Sequence, residues 1–331
     1  MAAGALAVMS IGASDDLADT LRAVAATYYL RAGEVATATG RDATMDYYER
    51  LRDDAGLLRQ AAPAGYPPEL WRQTVRAESV LDLSLATQLL NRSYQPMESI
   101  RGLGESFVRS TKDGTMQPVA LYVPTGYSPQ RPPALVVFLH GWPQAESHLI
   151  APQYLCDLAE RSNTIIVAPY GRGFYDFNGS ASDVYDALDA ATRAFGVDSG
   201  KRYLAGYSMG GFSVYNIAPM HPRRWAAVMS VAGSLIASRA PGVAGSMQHA
   251  RFYVLTGALD TIVPTLYPTS TAIYLRDAGL EVTFYSAPDG THSMYSLRAI
   301  LARAWSEMER GIVRLPTGLT GAGNLPEAVT E

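Results

Sequence analysis

The sequence predicts an α/β protein in which a doubly wound, mostly parallel sheet follows an N-terminal helical region. From about residue 105 onward, short apolar runs alternate with helical stretches, as in strands joined by helical crossovers. Before residue 100, apolar residues recur at helical spacing instead. We therefore expect a helical extension over residues 1–100, an α/β domain over residues 101–312 and an irregular tail over residues 313–331.

Apolar spacing predicts the helices of the extension. Between residues 15 and 35, five apolar residues share one helical face: Leu17, Leu21, Val24, Tyr28 and Val35. Between residues 41 and 60, four do so: Tyr48, Leu51, Ala55 and Leu58. A third helix begins at Glu69, after a break formed by Gly65 and two prolines. The extension carries no chemical motif, so we expect it to pack against the α/β domain, to cover part of that domain as a lid, or to form a homo-oligomer contact.

The α/β part begins with a hairpin, because SFVRST and QPVALYVP flank the turn KDGT. The continuous apolar run PALVVFLHG is typical of a buried central strand. Further runs predict the remaining strands: NTIIVAPYG, KRYLAGYS, WAAVMSVAGS, RFYVLTGALD and EVTFYSAPDG. In such a sheet, ligands bind beyond the carboxyl ends of the strands, so the chemistry is expected in the loops that follow them.

Composition excludes several classes of protein. The chain has 331 residues and a formal net charge of -4, which gives no electrostatic case for binding nucleic acid. Its five histidines form no HExxH pattern, so we expect neither a metal site nor a cofactor. The one cysteine, Cys156, cannot form a disulfide within the chain and is expected in the core.

Cellular location stays open. No apolar run approaches the roughly 20 residues that span a bilayer, so no transmembrane segment is expected. The apolar start MAAGALAVMSIGAS is either the remainder of a truncated secretion signal or the lead-in to a helix. The sequence is therefore compatible with a cytoplasmic or a secreted protein.

The segment GYSMG is the strongest chemical signal in the chain. It follows the predicted strand KRYLA and precedes a helix, which is the strand–turn–helix context of a nucleophile elbow. Gly206 and Gly210 would let the flanking strand and helix approach closely, while Ser208 is exposed above the sheet. We expect Ser208 to be a nucleophile, and the alternative is a serine with a structural role in the turn.

A serine hydroxyl needs a base to take its proton, and that base needs an acid to orient it. Three histidines follow Ser208. His221 is expected at the surface and His249 at the far end of a strand, whereas His292 follows the last strand and is the predicted base. Asp260, just beyond the preceding strand, is the predicted acid, with Asp289 as its competitor.

Backbone N–H groups are expected to bind the oxyanion of the reaction. Met209, which follows the nucleophile, and Trp142, in the loop after the strand ALVVFLHG, are the predicted donors. Trp142 and Tyr207 are also predicted to bind substrate, although the Trp142 indole could instead be buried against the strand. We expect His140 to hold this loop by hydrogen bonds and to have no catalytic role.

These motifs together resemble the α/β-hydrolase superfamily over residues 115–310. Within it, the chain is similar to the polyhydroxybutyrate-depolymerase-like and feruloyl-esterase-like branch, which borders the prolyl-oligopeptidase-like hydrolases. LYVPTGY, VVFLHGWPQ, IIVAPYGRG, the elbow region, ALDTIVP and GTH carry this likeness. Branch members often have a cysteine where this chain has Trp142.

The resemblance implies a serine hydrolase that cleaves carboxylic esters, attached to a small molecule or a polymer, through an acyl-enzyme. Six aromatic residues are expected near the site and favour aryl or hydroxycinnamoyl esters: Trp142, Tyr170, Phe174, Tyr175, Tyr207 and Tyr295. An amidase or peptidase could use the same triad. A non-catalytic binding protein and a helical scaffold carrying the hydrolase domain are the alternatives outside enzymes.

Overall fold

The structure is a computed structural model that describes residues 14–172 and 177–310. The predicted C-terminal tail, the apolar start of the chain, Phe174 and Tyr175 lie outside the described residues.

Four helices precede the first strand, and they pack around their own apolar cluster. They are α1 (Ser14–Leu30), α2 (Ala32–Thr39), α3 (Arg41–Leu57) and α4 (Pro68–Asn91). The first predicted helix is interrupted at Arg31, where the backbone leaves helical geometry. On α3 the predicted face is confirmed, because Leu51 and Ala55 are buried in this cluster and Tyr48 and Leu58 pack against it half-buried. Tyr47, which was not predicted, is also buried there.

The described residues form an eight-stranded sheet in the order β1-β2-β4-β3-β5-β6-β7-β8. The strands are β1 (Gly102–Arg109), β2 (Met116–Val123), β3 (Ala134–Leu139), β4 (Thr164–Pro169), β5 (Arg202–Tyr207), β6 (Ala227–Val231), β7 (Arg251–Gly257) and β8 (Glu281–Ala287). β1 and β2 form the expected antiparallel hairpin, and β3 to β8 pair in parallel. The predicted fold class is confirmed.

Helices cover both faces of the sheet. They are α5 (Glu146–Ile150), α6 (Gln153–Ser162), α7 (Ala181–Phe195), α8 (Met209–Ile217), α9 (Ala240–Met247), α10 (Leu266–Asp277) and α11 (Arg298–Arg310). Alternate residues of the fully buried β3 point to opposite faces of the sheet. Val137 packs in one core with α7 and α8, and Phe138 packs in the other core with α6 and α11. Cys156 is buried in the second core, as expected.

The parallel strands bring four loops to one edge of the sheet. The loops after β3, β5, β7 and β8 contain Trp142, Ser208, Asp260 and His292, respectively. None of the helices in the described part of the chain is long and apolar enough to cross a membrane.

Candidate active site

Ser208 lies on a sharp turn between β5 and α8. Its backbone has φ 52° and ψ −113°, a conformation that a residue with a side chain rarely adopts. Space for this turn comes from the flanking glycines. A Cβ on Gly206 would lie 2.1 Å from the Gly210 carbonyl oxygen, and one on Gly210 would lie 2.3 Å from that of Leu139. The expected steric role of both glycines is confirmed.

The structure brings the three predicted triad residues into one hydrogen-bonded chain. His292 Nε2 lies 2.9 Å from Ser208 Oγ, and His292 Nδ1 lies 2.8 Å from Asp260 Oδ2. With the ring proton on Nδ1 donated to Asp260, Nε2 is free to accept the serine proton. Chemically, this arrangement can turn a weak hydroxyl nucleophile into a reactive one.

Asp260 is held on its other side by the backbone. Its Oδ1 accepts hydrogen bonds from the N–H groups of Ile262 (2.9 Å) and Val263 (2.8 Å), and its side chain is fully buried. These bonds fix the carboxylate so that only Oδ2 faces the imidazole. The competing acid, Asp289, is exposed, and the imidazole Nδ1 faces Asp260 instead.

The predicted oxyanion donors, the backbone N–H groups of Met209 and Trp142, belong to two loops that meet at Ser208. Met209 is the first residue of α8, where an N–H has no partner within the helix. Among the described residues, neither the Met209 nor the Trp142 N–H donates a hydrogen bond. The adjacent Gly210 N–H donates to the His140 carbonyl at 3.0 Å, which ties the elbow to the loop that carries Trp142.

The remaining residues of this loop differ in role. The Trp142 side chain is 60% exposed, so the alternative of a buried indole was wrong. His140 is buried, and its two ring nitrogens face the carbonyl oxygens of Gly141 and Tyr170 at 3.0 Å each. Burial lowers the pKa of His140, so the ring is neutral and donates to one of the two. The expected holding role of His140 is confirmed.

The other two histidines that follow Ser208 in the sequence lie away from the elbow. His221 is exposed and packs edge-on against Tyr185. His249 is exposed before the start of β7, and its Nε2 contacts the Pro222 carbonyl. Both placements agree with the sequence predictions.

Tyr207 holds the loop after β8 that contains His292, which we call the histidine loop. Its hydroxyl donates to the His292 carbonyl oxygen at 2.6 Å, and its ring lies 5.4 Å from the imidazole. Burial raises the pKa of Tyr207, and the Asp260 carboxylate raises it further, so the phenol stays protonated as a donor. The phenol proton of Tyr207 is therefore engaged with the loop backbone.

A cavity of about 500 Å³ lies against the histidine loop, and the N-terminal extension forms part of its wall. Its aromatic lining consists of Tyr66, Trp71, Tyr154, Tyr207 and Tyr295. The Tyr66 ring lies 4.5 Å from that of Tyr295, so the extension contacts the loop directly. Sequence reasoning missed Tyr66, Trp71 and Tyr154, because no local pattern marks residues that meet only in the folded chain.

The site shows no metal-binding arrangement of side chains. Within residues 14–172 and 177–310, no three His, Cys, Asp or Glu side chains are grouped so that they could hold an ion.

Curated relatives match this chain over part of their length. A protein of Aspergillus oryzae named probable feruloyl esterase C is 25% identical over 184 residues, which cover 52% of this chain and 66% of that protein. Feruloyl esterase C of Emericella nidulans is 28% identical over 153 residues, covering 44% and 55%. The chain therefore spans less than two thirds of the length of these relatives.

Solved structures share the fold. A ferulic acid esterase superposes with a TM-score of 0.55 at 16% identity, over 63% of this chain and 98% of that one. A ferulic acid esterase of Anaeromyces mucronatus, in complex with ferulic acid, gives 0.53 at 16% identity, over 62% and 89%.

A family model covers more of the sequence than either curated relative. Residues 136–330 match the model of the alpha/beta hydrolase family, and this span starts in β3 and includes the serine, aspartate and histidine described above. The resemblance predicted from the sequence motifs is thus confirmed, and the chain belongs to the alpha/beta hydrolase family.

Proposed function

We propose that the chain is a serine esterase. The observation that carries the proposal is the continuous hydrogen-bonded chain from Ser208 through His292 to Asp260, with distances of 2.9 and 2.8 Å. Ser208 Oγ attacks the acyl carbonyl of an ester while His292 Nε2 takes its proton. Asp260 stabilises the imidazolium that forms, and the N–H groups of Trp142 and Met209 bind the oxyanion.

The alcohol then leaves, and water hydrolyses the acyl-enzyme. His292 gives its proton to the departing alkoxide, which leaves as the alcohol and leaves the acyl group on Ser208. Water, deprotonated by His292, then attacks the acyl-enzyme, and the acid is released with Ser208 restored. Each step uses only groups of this chain, so the proposal includes no metal or organic cofactor.

Short-chain or aromatic esters are the substrates we propose, as small molecules or attached to a polymer. The wall of the aromatic-lined cavity includes Thr291 and Ser293, on either side of His292, but neither His292 nor Ser208. Its rings support an aryl group that extends from the catalytic serine, because offset and edge-to-face ring contacts stabilise aromatic pairs beyond the area they bury. The names of both curated relatives agree with this class.

The helical extension, residues 1–100, is proposed to flank the cleft of the hydrolase domain, residues 101–312. Its cavity-lining residues 63–66 and Trp71 support this role over that of a passive scaffold. A homo-oligomer contact through the extension remains a separate hypothesis, which the solution mass of the protein would test.

The first test is hydrolysis of p-nitrophenyl esters from acetate to palmitate, and of methyl ferulate, by wild type and Ser208→Ala. We expect turnover that is highest on short chains or ferulate and absent in the variant. A matched p-nitroanilide tests the amidase alternative. Retained turnover in purified Ser208→Ala would overturn the proposal, and turnover of the anilide alone would favour the amidase.

The substrate class is tested by Tyr66→Ala. Loss of this ring should lower kcat/KM for methyl ferulate by about fivefold, as expected for loss of an aromatic contact worth about 1 kcal/mol, with little effect on acetate. Tyr29→Ala is the control, because Tyr29 is a 56% exposed ring of the same extension outside the cavity. Equal effects on both esters would contradict an aryl subsite here.

A further inference from the structure

The helical extension places a buried cation behind the loop that carries Trp142. Arg50 on α3 forms a two-pronged ion pair with Glu146, with both N–O distances at 2.9 Å. It also faces Asp46 on its own helix at 3.2 Å and Asp82 on α4 at 3.6 Å. The Arg50 side chain is only 12% exposed, so water screens these interactions weakly.

Glu146 depends on this partner. It is the first residue of α5, four positions after Trp142, and its side chain is fully buried. The neighbouring Glu105 brings no positive charge, and burial raises the pKa of Glu105, with Glu146 raising it further. Without Arg50, Glu146 would be a buried carboxylate lacking its cation, and α5 would have to move to solvate it.

A second contact links Arg50 to the other end of the same loop. Its guanidinium lies 5.2 Å from the ring centroids of both Tyr47 and Tyr170. The Tyr170 carbonyl in turn faces His140 Nε2 at 3.0 Å. The segment 140–146 is therefore held near both of its ends by groups that contact Arg50.

This segment contains the proposed oxyanion donor, the N–H of Trp142. We infer that Arg50 is a positioning residue for that donor: by pairing with Glu146 and packing on Tyr170, it keeps the segment 140–146 at the distance from Ser208 that the oxyanion requires. The inference rests on the proposed function. It makes the helical extension an integral part of the active site, although Arg50 itself does not touch the substrate.

The test compares Arg50→Met, Arg50→Lys and Arg224→Met in the full chain. Methionine removes the positive charge, whereas lysine keeps the charge but cannot donate two parallel hydrogen bonds to Glu146. Arg224 is the control, since it pairs with Asp189 on a partly exposed surface away from the site loops. Thermal unfolding monitors the fold, and titration with a fluorophosphonate counts the reactive serines, so kcat refers to folded sites only.

Misplacing an oxyanion donor should weaken transition-state binding more than substrate binding. We expect Arg50→Met to lower kcat on p-nitrophenyl acetate about 100-fold, with KM changed less than about threefold. Inhibition by an aryl trifluoromethyl ketone, whose serine adduct carries an oxyanion, should weaken by the same factor. Arg50→Lys should recover about a tenth of wild-type kcat, and Arg224→Met should retain wild-type values.

The outcomes separate this inference from the proposed function. Wild type without ester turnover or serine labelling would overturn both. An active wild type with unchanged kcat in folded Arg50→Met, or a KM change without a matching change in ketone inhibition, would overturn only the role of Arg50. If Arg50→Met does not fold, Arg50→Lys decides: parallel losses of about tenfold in kcat and ketone affinity support the inference, and unchanged values refute it.

Discussion

Replacing Asp260 by asparagine should reverse the direction of the hydrogen bond between this residue and His292, because an NH₂ group replaces one carboxylate oxygen in a side chain of the same shape. Asp260 Oδ1 accepts the N–H groups of Ile262 and Val263, so the amide oxygen of an asparagine must take that position. Its NH₂ group then faces His292 Nδ1, at the position 2.8 Å away where Oδ2 now lies. The imidazole has to accept there and carry its proton on Nε2, so it can no longer take the proton of Ser208.

The expected loss is large because only a rare tautomer would remain active. Fixing the wrong tautomer in a Ser-His-Asp triad lowers kcat about 10⁴-fold. That factor corresponds to about 5 kcal/mol of activation free energy. The assay is kcat on p-nitrophenyl acetate at pH 7, with thermal unfolding as a check on the fold. Asp289→Asn, at the exposed competing acid, should keep wild-type kcat. A loss below tenfold for Asp260→Asn, or a larger loss for Asp289→Asn, would refute the assignment.

Two further predictions concern stability. Gly206→Ala should lower the free energy of unfolding by about 3 kcal/mol or more in urea titration, because the new Cβ would lie 2.1 Å from the Gly210 carbonyl oxygen. The control is Gly245→Ala on α9, where a Cβ meets open space, and it should leave the free energy of unfolding unchanged or raise it slightly. Burial raises the pKa of Glu309 to about 7, so its stabilising contribution is present below pH 4.5 and is lost as the pH rises through 7. Glu309→Gln, which can still accept the Thr164 hydroxyl, should therefore raise stability at pH 8 by up to about 3 kcal/mol and leave it unchanged near pH 4. Equal unfolding midpoints for wild type and Glu309→Gln at pH 8 would contradict this.

Much of the fold could be predicted because it depends on local patterns. The run that forms β3 is apolar on both faces, and a strand buried between two helical layers needs that composition. The elbow is equally local, since Gly206, Ser208 and Gly210 lie within five residues and their steric roles follow from the turn itself. His292 and Asp260 could be proposed because parallel strands bring their carboxyl ends to one edge.

Contacts between distant segments could not be predicted in this way. Arg50 and Glu146 are 96 residues apart, and each alone resembles an ordinary charged residue of a helix surface. Tyr66 meets Tyr295 only because the loop before α4 folds over the histidine loop. The interruption at Arg31 has no Pro, and the nearby Gly33 lies within the helix that follows, so helical spacing continued across it in the sequence.

The most direct test of the account is to trap the acyl-enzyme. Wild type, Ser208→Ala and His292→Ala would be mixed with p-nitrophenyl acetate, quenched in acid within milliseconds, digested and examined by mass spectrometry. The account predicts one acetyl group on the peptide that contains Ser208 in wild type, none in Ser208→Ala, and a much slower build-up in His292→Ala. Acetylation at another residue, or ester turnover by wild type with no acetylated Ser208 under any quench time, would contradict it.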